Sequence, residues 1–215
     1  TAYEIPKRDW SSDVCSSDLS ARNLVGPALH SLYRIRLGGA HFVPTRGGVL
    51  LVANHAGLID ATLLAVAGPR PVRVVGEGGT LPGVWRRLSG LTGRIVISGP
   101  EDASAGLRAA VAALVEGEAV GMFPEGPLPD TSSDDVRPML PGAAYVQVRT
   151  GVPVVPVALI GTHGERPSDP PLPRSQIDMV FGEPFTPQVP GDPMARSTIM
   201  EVAEVIRQRL TDHVD

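Results

Sequence analysis

The sequence predicts a single α/β domain in which helices flank a largely parallel sheet. Short β-branched apolar runs alternate along the chain with longer segments whose apolar residues recur at helical spacing. This order is expected when helices connect parallel strands. No internal repeat or domain linker interrupts the 215 residues, so we expect one substantial core.

The predicted strands are short apolar runs next to turn-forming residues. The first, at residues 49–53, follows two glycines and is apolar throughout, as is typical of a buried strand. The other strand candidates are residues 71–75, 94–97, 119–123, 154–160 and 177–181. Helices are predicted at residues 61–67, 81–91, 103–116, 142–150 and 193–214. Two proline-rich polar stretches, residues 127–141 and 165–176, are predicted loops.

An amphipathic helix is also predicted near the N-terminus, over residues 21–37. Its apolar positions are Leu24, Val25, Ala28, Leu29, Leu32, Ile35 and Leu37, and three arginines lie nearby. The pattern fits a helix on a membrane surface, and it fits equally a helix docked on the protein's own core. No apolar run in the sequence reaches the roughly 18–20 residues needed to span a bilayer.

The first predicted strand leads into a histidine and a carboxylate at fixed spacing, His55 and Asp60. Residues five apart in one helix point about 140° apart, so we expect a turn at Ala56 and Gly57 to fold the carboxylate back. Asp60 could then accept the Nδ1 proton of His55 and leave Nε2 to take a proton from a nucleophile. The alternative is that Asp60 only caps the next helix and His55 only ends a strand.

The segment around His55 contains no serine or cysteine that could act as a nucleophile. The expected nucleophile is therefore a hydroxyl group of the substrate, which indicates direct group transfer without a covalent enzyme intermediate.

A second strand-to-loop corner carries Phe123, Pro124, Glu125 and Gly126. Ligands of parallel α/β sheets gather at the carboxyl ends of the strands, where both corners are predicted. We therefore expect them to form one site, with the loop at residues 127–141 as one of its walls.

These two motifs together resemble the lysophospholipid acyltransferase family, which includes bacterial 1-acyl-glycerol-3-phosphate acyltransferases. The family carries an Asn-His-x4-Asp block and a Phe-Pro-Glu-Gly block. Residues 151–158 and 181–185 are similar to its later blocks, so the resemblance covers about residues 36–213. It implies a glycerolipid acyltransferase-like fold and an O-acyltransferase of phospholipid biosynthesis.

The resemblance implies a role for each matching residue. His55 would be the general base and Asp60 its orienting partner. The predicted substrate-binding residues are Asn54, Phe123, Pro124, Glu125 and Gly126, with backbone N–H groups near Gly57 or Gly126 meeting the oxyanion. The acyl group would come from acyl-CoA or acyl carrier protein as a co-substrate, without a resident cofactor or metal.

The resemblance also implies a lysolipid acceptor, no nucleic-acid partner, and a cytoplasmic enzyme peripheral to the inner face of the cell membrane. An Arg-rich chain with 24 glycines and 22 prolines is typical of a GC-rich, bacterial genome.

The chain departs from the family where basic residues are expected. The family's second block commonly ends in arginine, but residues 93–99 end in Ser-Gly. Its third block usually continues Gly-Thr-Arg-Ser, and residues 126–129 read Gly-Pro-Leu-Pro. Its Phe-Lys-x-Gly segment is Met-Leu-Pro-Gly at residues 139–142.

Guanidinium groups in those positions would clamp the acceptor's phosphate. Arg94 or Arg137 could substitute from neighbouring positions. The open alternatives are a non-phosphate lysolipid acceptor, a thioesterase, and a non-catalytic lipid-binding relative. Further arginines could receive the phosphates of coenzyme A or an acidic carrier, although arginines on helix faces are more often simply solvated, and this is the favoured explanation for Arg86 and Arg87. The further arginines are Arg70, Arg73, Arg86, Arg87 and Arg94.

Residues 1–19 resemble the conceptual translation of a sequencing adapter, and we expect them to be non-native. The native acyltransferase domain is then expected over residues 20–215. The single cysteine, Cys15, falls in the suspect segment, so a disulfide, a cysteine metal site and a cysteine nucleophile have no support.

Overall fold

The computed structural model describes residues 25–77, 95–97, 100–126, 128, 139–193 and 195–214. The strands of this part are β1 (Arg34–Gly38), β2 (Val49–Ala53), β3 (Val72–Glu77), β4 (Ile95–Ile97), β5 (Ala119–Met122), β6 (Val154–Ile160) and β7 (Gln176–Phe181). The helices are α1 (residues 25–32), α2 (Asp60–Val66), α3 (Pro100–Val115), α4 (Gly142–Thr150) and α5 (Arg196–Val214). A 3-10 turn covers Ala40–Phe42.

Within the described residues, the strands form one seven-stranded sheet in the order β1-β7-β6-β2-β5-β3-β4. Only the β6–β7 pair is antiparallel, so β1 and β7 run opposite to the other five strands. The predicted α/β fold with a largely parallel sheet is confirmed.

Strand β2 lies in the middle of the sheet, between β5 and β6, and all five of its residues are buried. Leu51 packs into the core cluster shared with α1 and α2, whereas Leu50 and Val52 pack into the cluster shared with α3, α4 and α5. A strand covered on both faces has no solvent side, and this explains its unbroken apolar sequence.

Most predicted elements lie within a few residues of their observed bounds. The strands at residues 49–53 and 154–160 and the helix at 142–150 match those predicted. The predicted helix at 81–91 lies outside the described residues, as does most of the loop at 127–141. The loop predicted at 165–176 is irregular as far as Gln176, which begins β7.

The helix predicted over residues 21–37 is wrong beyond residue 32. Helix α1 stops at residue 32, and the chain then enters β1, which pairs with β7. Pairing with the β7 backbone outweighs the local helical periodicity, because β1 gains a hydrogen-bonded neighbour there. Val25, Leu29 and Tyr33 are buried in the core, so this face of α1 docks on the protein itself.

Arg70 fastens the amino-terminal edge of the sheet. Its guanidinium donates to the carbonyl oxygens of Pro44 and Gly47, which precede β2, and of Gly117, which precedes β5. All three distances are 2.9 Å. Burial lowers the pKa of Arg70. One side chain therefore joins the chain segments that lead into three adjacent strands.

No helix in the described part of the chain combines the length and the apolar character needed to span a membrane.

Candidate active site

The two sequence motifs meet at the carboxyl ends of neighbouring strands. Strand β2 pairs in parallel with both β5 and β6, so all three end at the same edge of the sheet. His55 follows β2, Phe123 follows β5, and Thr162 follows β6. The two corners therefore lie together at this edge, and their joint role as a substrate site stays a prediction.

His55 and Asp60 form a hydrogen-bonded pair. Nδ1 of His55 lies 2.9 Å from Oδ2 of Asp60. The Asp60 side chain is fully buried, whereas 18% of the His55 side chain is exposed. An imidazole tied through Nδ1 presents Nε2 to a substrate. Among the described residues, no group hydrogen-bonds to Nε2.

The predicted turn between these residues is present, and Asp60 organises it. The backbone N–H groups of Ala56 and Gly57 donate to Oδ2 of Asp60 at 2.8 Å and 2.7 Å. Asp60 is the first residue of α2, and Ile59 occupies the cap position without a side-chain cap bond. The carboxylate therefore turns toward the preceding loop, so the view of Asp60 as only a helix cap is wrong.

The second corner supports His55 from two sides. The Phe123 ring stacks on the imidazole, with ring centroids 4.5 Å apart and planes at 29°. The buried Glu125 carboxylate accepts the backbone N–H of His55 at 3.1 Å. Together these contacts restrict the imidazole ring and the backbone that carries it.

The Phe-Pro-Glu-Gly corner is a tight turn. Gly126 has φ +82°, which glycine adopts without the cost that a Cβ brings. Its N–H donates to the carbonyl oxygen of Phe123 at 3.3 Å, and Leu140 donates to that of Pro124 at 2.6 Å. This turn places the buried Glu125 carboxylate on the backbone N–H of His55.

Asn54 has a structural task in this site. Its Nδ2 donates to the carbonyl oxygen of Leu159 at 3.0 Å, and its Oδ1 accepts the N–H of Leu159 at 2.8 Å. The side chain is 1% exposed. Asn54 thus pairs with a residue of β6 and fixes the start of the loop that carries His55, which we refer to as the histidine loop. Its contact with substrate stays a prediction.

The loop after β6 contacts the loop that carries His55, which the sequence did not indicate. A Cβ on Gly57 would lie 2.2 Å from the carbonyl oxygen of Thr162, so the two loops are in close contact. Leu58 also donates to the carbonyl oxygen of Pro167 at 3.0 Å. His163, whose Nδ1 lies 2.9 Å from the carbonyl oxygen of Gly164, is carried by the same loop. The one sequence signal for this contact between the two loops was Gly57, since a residue without a Cβ permits close approach of another backbone.

The backbone N–H groups of the two glycines near which an oxyanion donor is expected are both engaged within the protein. Gly57 donates to Asp60, and Gly126 donates to Phe123. The expectation of an oxyanion donor near Gly57 or Gly126 stays a prediction, and in this conformation the N–H groups of these two glycines already have acceptors.

Of the arginines considered as phosphate ligands, those that the structure describes lie away from His55. Arg70 lies at the opposite edge of the sheet, and Arg73 pairs there with Glu118 at 3.1 Å, so neither serves this site. Arg86, Arg87, Arg94 and Arg137 lie outside the described residues. No cluster of His, Cys, Asp and Glu suited to a metal occurs in the described ranges.

Comparison with known proteins identifies the class of enzyme. The sequence matches the family described as Acyltransferase over residues 34–160, which is more than half of the chain. The chain belongs to the acyltransferase family. The predicted acyltransferase class is confirmed, and a lipid acceptor and an acyl donor are the substrates that this membership implies.

The structure is also similar to the crystal structure of the 1-acyl-sn-glycerophosphate (LPA) acyltransferase, PlsC, from Thermotoga maritima. The TM-score is 0.63 and the sequence identity is 21%. The match covers 92% of this chain and 80% of that one. At this identity the likeness shows a shared fold.

Proposed function

We propose that this protein transfers a fatty acyl group from a thioester to a hydroxyl group of a lysophospholipid such as 1-acyl-glycerol-3-phosphate, with His55 as the general base. The donor is acyl-CoA or acyl carrier protein. The observation that carries the proposal is the buried Asp60 carboxylate on Nδ1 of a partly exposed His55, because this arrangement prepares Nε2 to accept a proton.

The reaction proceeds by direct attack. Nε2 of His55 takes the proton of the acceptor hydroxyl as its oxygen bonds to the thioester carbonyl carbon. The carbonyl electrons move to oxygen and form a tetrahedral oxyanion. When the carbonyl reforms, the C–S bond breaks, and the imidazolium returns its proton to the departing sulfur. The products are the acylated lipid and a free thiol, and Asp60 stabilises the transient imidazolium.

The remaining motif residues shape the acceptor pocket around His55. Phe123 keeps the imidazole plane fixed and lines the acceptor side of the site, together with Pro124, Glu125 and Gly126. Arg94 or Arg137 binds the acceptor's phosphate in place of the arginines that the family usually carries. The thioester is a co-substrate, and this scheme uses no resident cofactor.

A non-phosphate lysolipid is the second candidate acceptor. The sequence observation that favours it is the absence of arginine and lysine from the family's expected positions at residues 98–99, 127–128 and 140. In this proposal the enzyme is a peripheral protein of the cytoplasm that meets its lipid acceptor at the inner face of the cell membrane.

The test follows thiol release from long-chain acyl-CoA and acyl carrier protein, with and without a panel of phosphate and non-phosphate lysolipids. We expect acceptor-dependent release and a matching acylated lipid. His55→Ala should lower kcat by about 10²-fold or more, the usual contribution of a general base. The control His41→Ala changes an exposed histidine distant from the motif in sequence and should leave kcat unchanged.

The alternatives give different results. Release that does not depend on an acceptor would identify a thioesterase. Lysolipid binding without release from either donor would identify a binding-only relative. A His55→Ala protein with normal kcat would exclude the general-base role.

A further inference from the structure

At the edge of the sheet that carries His55, which we refer to as the catalytic edge, one corner combines exposed leucines with arginines for which the described residues supply no acidic partner. It comprises Leu32, Arg34, Leu172, Pro173 and Arg174, and we refer to it as the leucine–arginine corner. Leu172 is 77% exposed and Leu32 is 43% exposed. The other three residues are exposed as well.

Backbone hydrogen bonds hold the corner together. Arg174 donates to the carbonyl oxygen of Leu32 at 2.6 Å, and Ser175 donates to that of Leu172 at 3.0 Å. Arg34 donates in turn to the carbonyl oxygen of Ser175 at 2.9 Å. The end of α1 and the turn before β7 therefore present their side chains as one surface.

This corner lies at the same edge of the sheet as His55. Strand β7 runs antiparallel to β6, with Asp178 opposite Ile160, so β7 begins where β6 ends. Strand β1 is parallel to β7 and begins beside it, with Arg34 opposite Gln176. The loop that leads from β6 to the corner is the same loop that contacts the histidine loop at Gly57.

The charges of the corner are available to a partner. In the part of the chain that the structure describes, no carboxylate pairs with Arg34 or Arg174. The neighbouring Arg36 does have an acidic partner, because its Nε lies 3.1 Å from Oδ1 of Asp178. Two exposed acidic residues, Glu165 and Asp169, lie earlier in the same loop, so attraction to an anionic surface depends on the two unpaired arginines.

The backbone of Arg174 is a second, independent observation. With φ +71° it is the only non-glycine residue at positive φ among the described residues. This conformation costs an ordinary side chain on the order of 1 kcal/mol relative to glycine. Glycine would carry less strain at this position, so a favourable contribution from the arginine side chain would offset the cost of its backbone conformation.

We propose that the leucine–arginine corner docks on an anionic phospholipid bilayer, with the leucines in the interface and the two guanidinium groups on lipid phosphates. Leucines beside arginines suit this occupant, because apolar insertion and attraction to anionic headgroups add together. Docked in this way, the catalytic edge faces the membrane, and a lysolipid reaches His55 without crossing bulk water. This last step rests on the proposed function, whereas the docking does not.

The test is co-sedimentation of the full chain with vesicles of phosphatidylcholine, with or without phosphatidylglycerol. We expect binding to the anionic vesicles that weakens as salt is added. Leu172→Ser should reduce the affinity about tenfold, from the lost burial of a leucine side chain. Arg174→Gly should reduce the affinity about fivefold, which is the effect of one cation near an anionic surface. The same variant should not lower the free energy of unfolding, because glycine adopts a positive φ without strain.

Two control variants match these changes elsewhere in the molecule. Val115→Ser removes an apolar side chain that is 73% exposed at the opposite edge of the sheet, and Arg108→Gln removes an exposed arginine on α3. Both should bind vesicles normally. The proposal is overturned if the corner variants bind anionic vesicles as tightly as the unaltered protein does. It is also overturned if the control variants lose as much vesicle affinity as the corner variants.

A final measurement separates docking from chemistry. Transfer to a short-chain lysolipid that remains monomeric should be equal in the corner variants and the unaltered protein. Normal vesicle binding combined with a selective loss of transfer from acyl carrier protein would instead make the corner a protein-docking surface. Vesicle binding without any acyl transfer would refute the proposed function alone.

Discussion

At the scale of single residues, the site shows how two carboxylates support one histidine in different ways. Asp60 contacts the imidazole itself, through Nδ1. Glu125 contacts the backbone N–H of the same residue, so it acts on His55 by position. Both carboxylates are buried, and a buried acceptor is costly to remove because its donor is left without a partner.

Substitution of Glu125 can distinguish positioning from substrate binding. Glu125→Gln keeps an oxygen that accepts the His55 N–H, so we expect kcat within about threefold of normal. Glu125→Ala leaves that N–H without its acceptor and frees the loop, and we expect kcat to fall about tenfold or more with little change in KM. Steady-state kinetics on both variants is the measurement.

The contrary outcome has a clear signature. If the charge of Glu125 binds the acceptor, Gln and Ala should raise KM alike, and the positioning role would be wrong.

At the scale of elements, the site depends on the contact between the loops after β2 and β6. Gly57 permits this contact because a Cβ there would lie 2.2 Å from the carbonyl oxygen of Thr162. The Gly57 N–H also donates to Asp60. Separation of these loops would therefore disturb the dyad as well as the packing.

We expect Gly57→Ala to lower the free energy of unfolding by about 1–3 kcal/mol, as overpacking does, and to reduce kcat in the protein that remains folded. Urea unfolding and steady-state kinetics measure the two effects. The control is Gly26→Ala in α1, where a Cβ would meet only the Val66 carbonyl oxygen at 3.9 Å. It should be neutral or slightly stabilising. Equal unfolding curves for both variants would show that the loops are not closely packed.

At the scale of the whole molecule, the two edges of the sheet have separate tasks. The amino-terminal edge is fastened by Arg70, which donates to three backbone carbonyl groups. The carboxyl-terminal edge carries the dyad. Substitutions at one edge should therefore affect stability without affecting chemistry at the other.

Arg70→Lys tests this separation. An ammonium group cannot reproduce the guanidinium fork that contacts three carbonyl groups, so we expect the free energy of unfolding to fall by about 1–3 kcal/mol. The kcat of the folded enzyme should stay normal. Arg108→Lys, which changes an exposed arginine on α3, is the matched control. A large fall in kcat for Arg70→Lys without loss of stability would show that the edges are coupled.

The sequence by itself determined the α/β class, most of the strands, and the placement of both motifs at strand ends. Continuous apolar runs and turn residues are local signals, and together they were sufficient to locate these strands and their ends. The spacing from His55 to Asp60 also required the turn, because a straight helix would separate the two side chains.

Only the tertiary structure decided which residues from distant parts of the chain support the dyad. The pairing of Asn54 with Leu159, of His55 with Glu125, and of Gly57 with Thr162 depends on the neighbouring positions of β2, β5 and β6. Strand β1 was missed for the same reason, since its partner β7 lies far along the chain and outweighs a local helical pattern. Such contacts follow from strand order, which no local sequence pattern encodes.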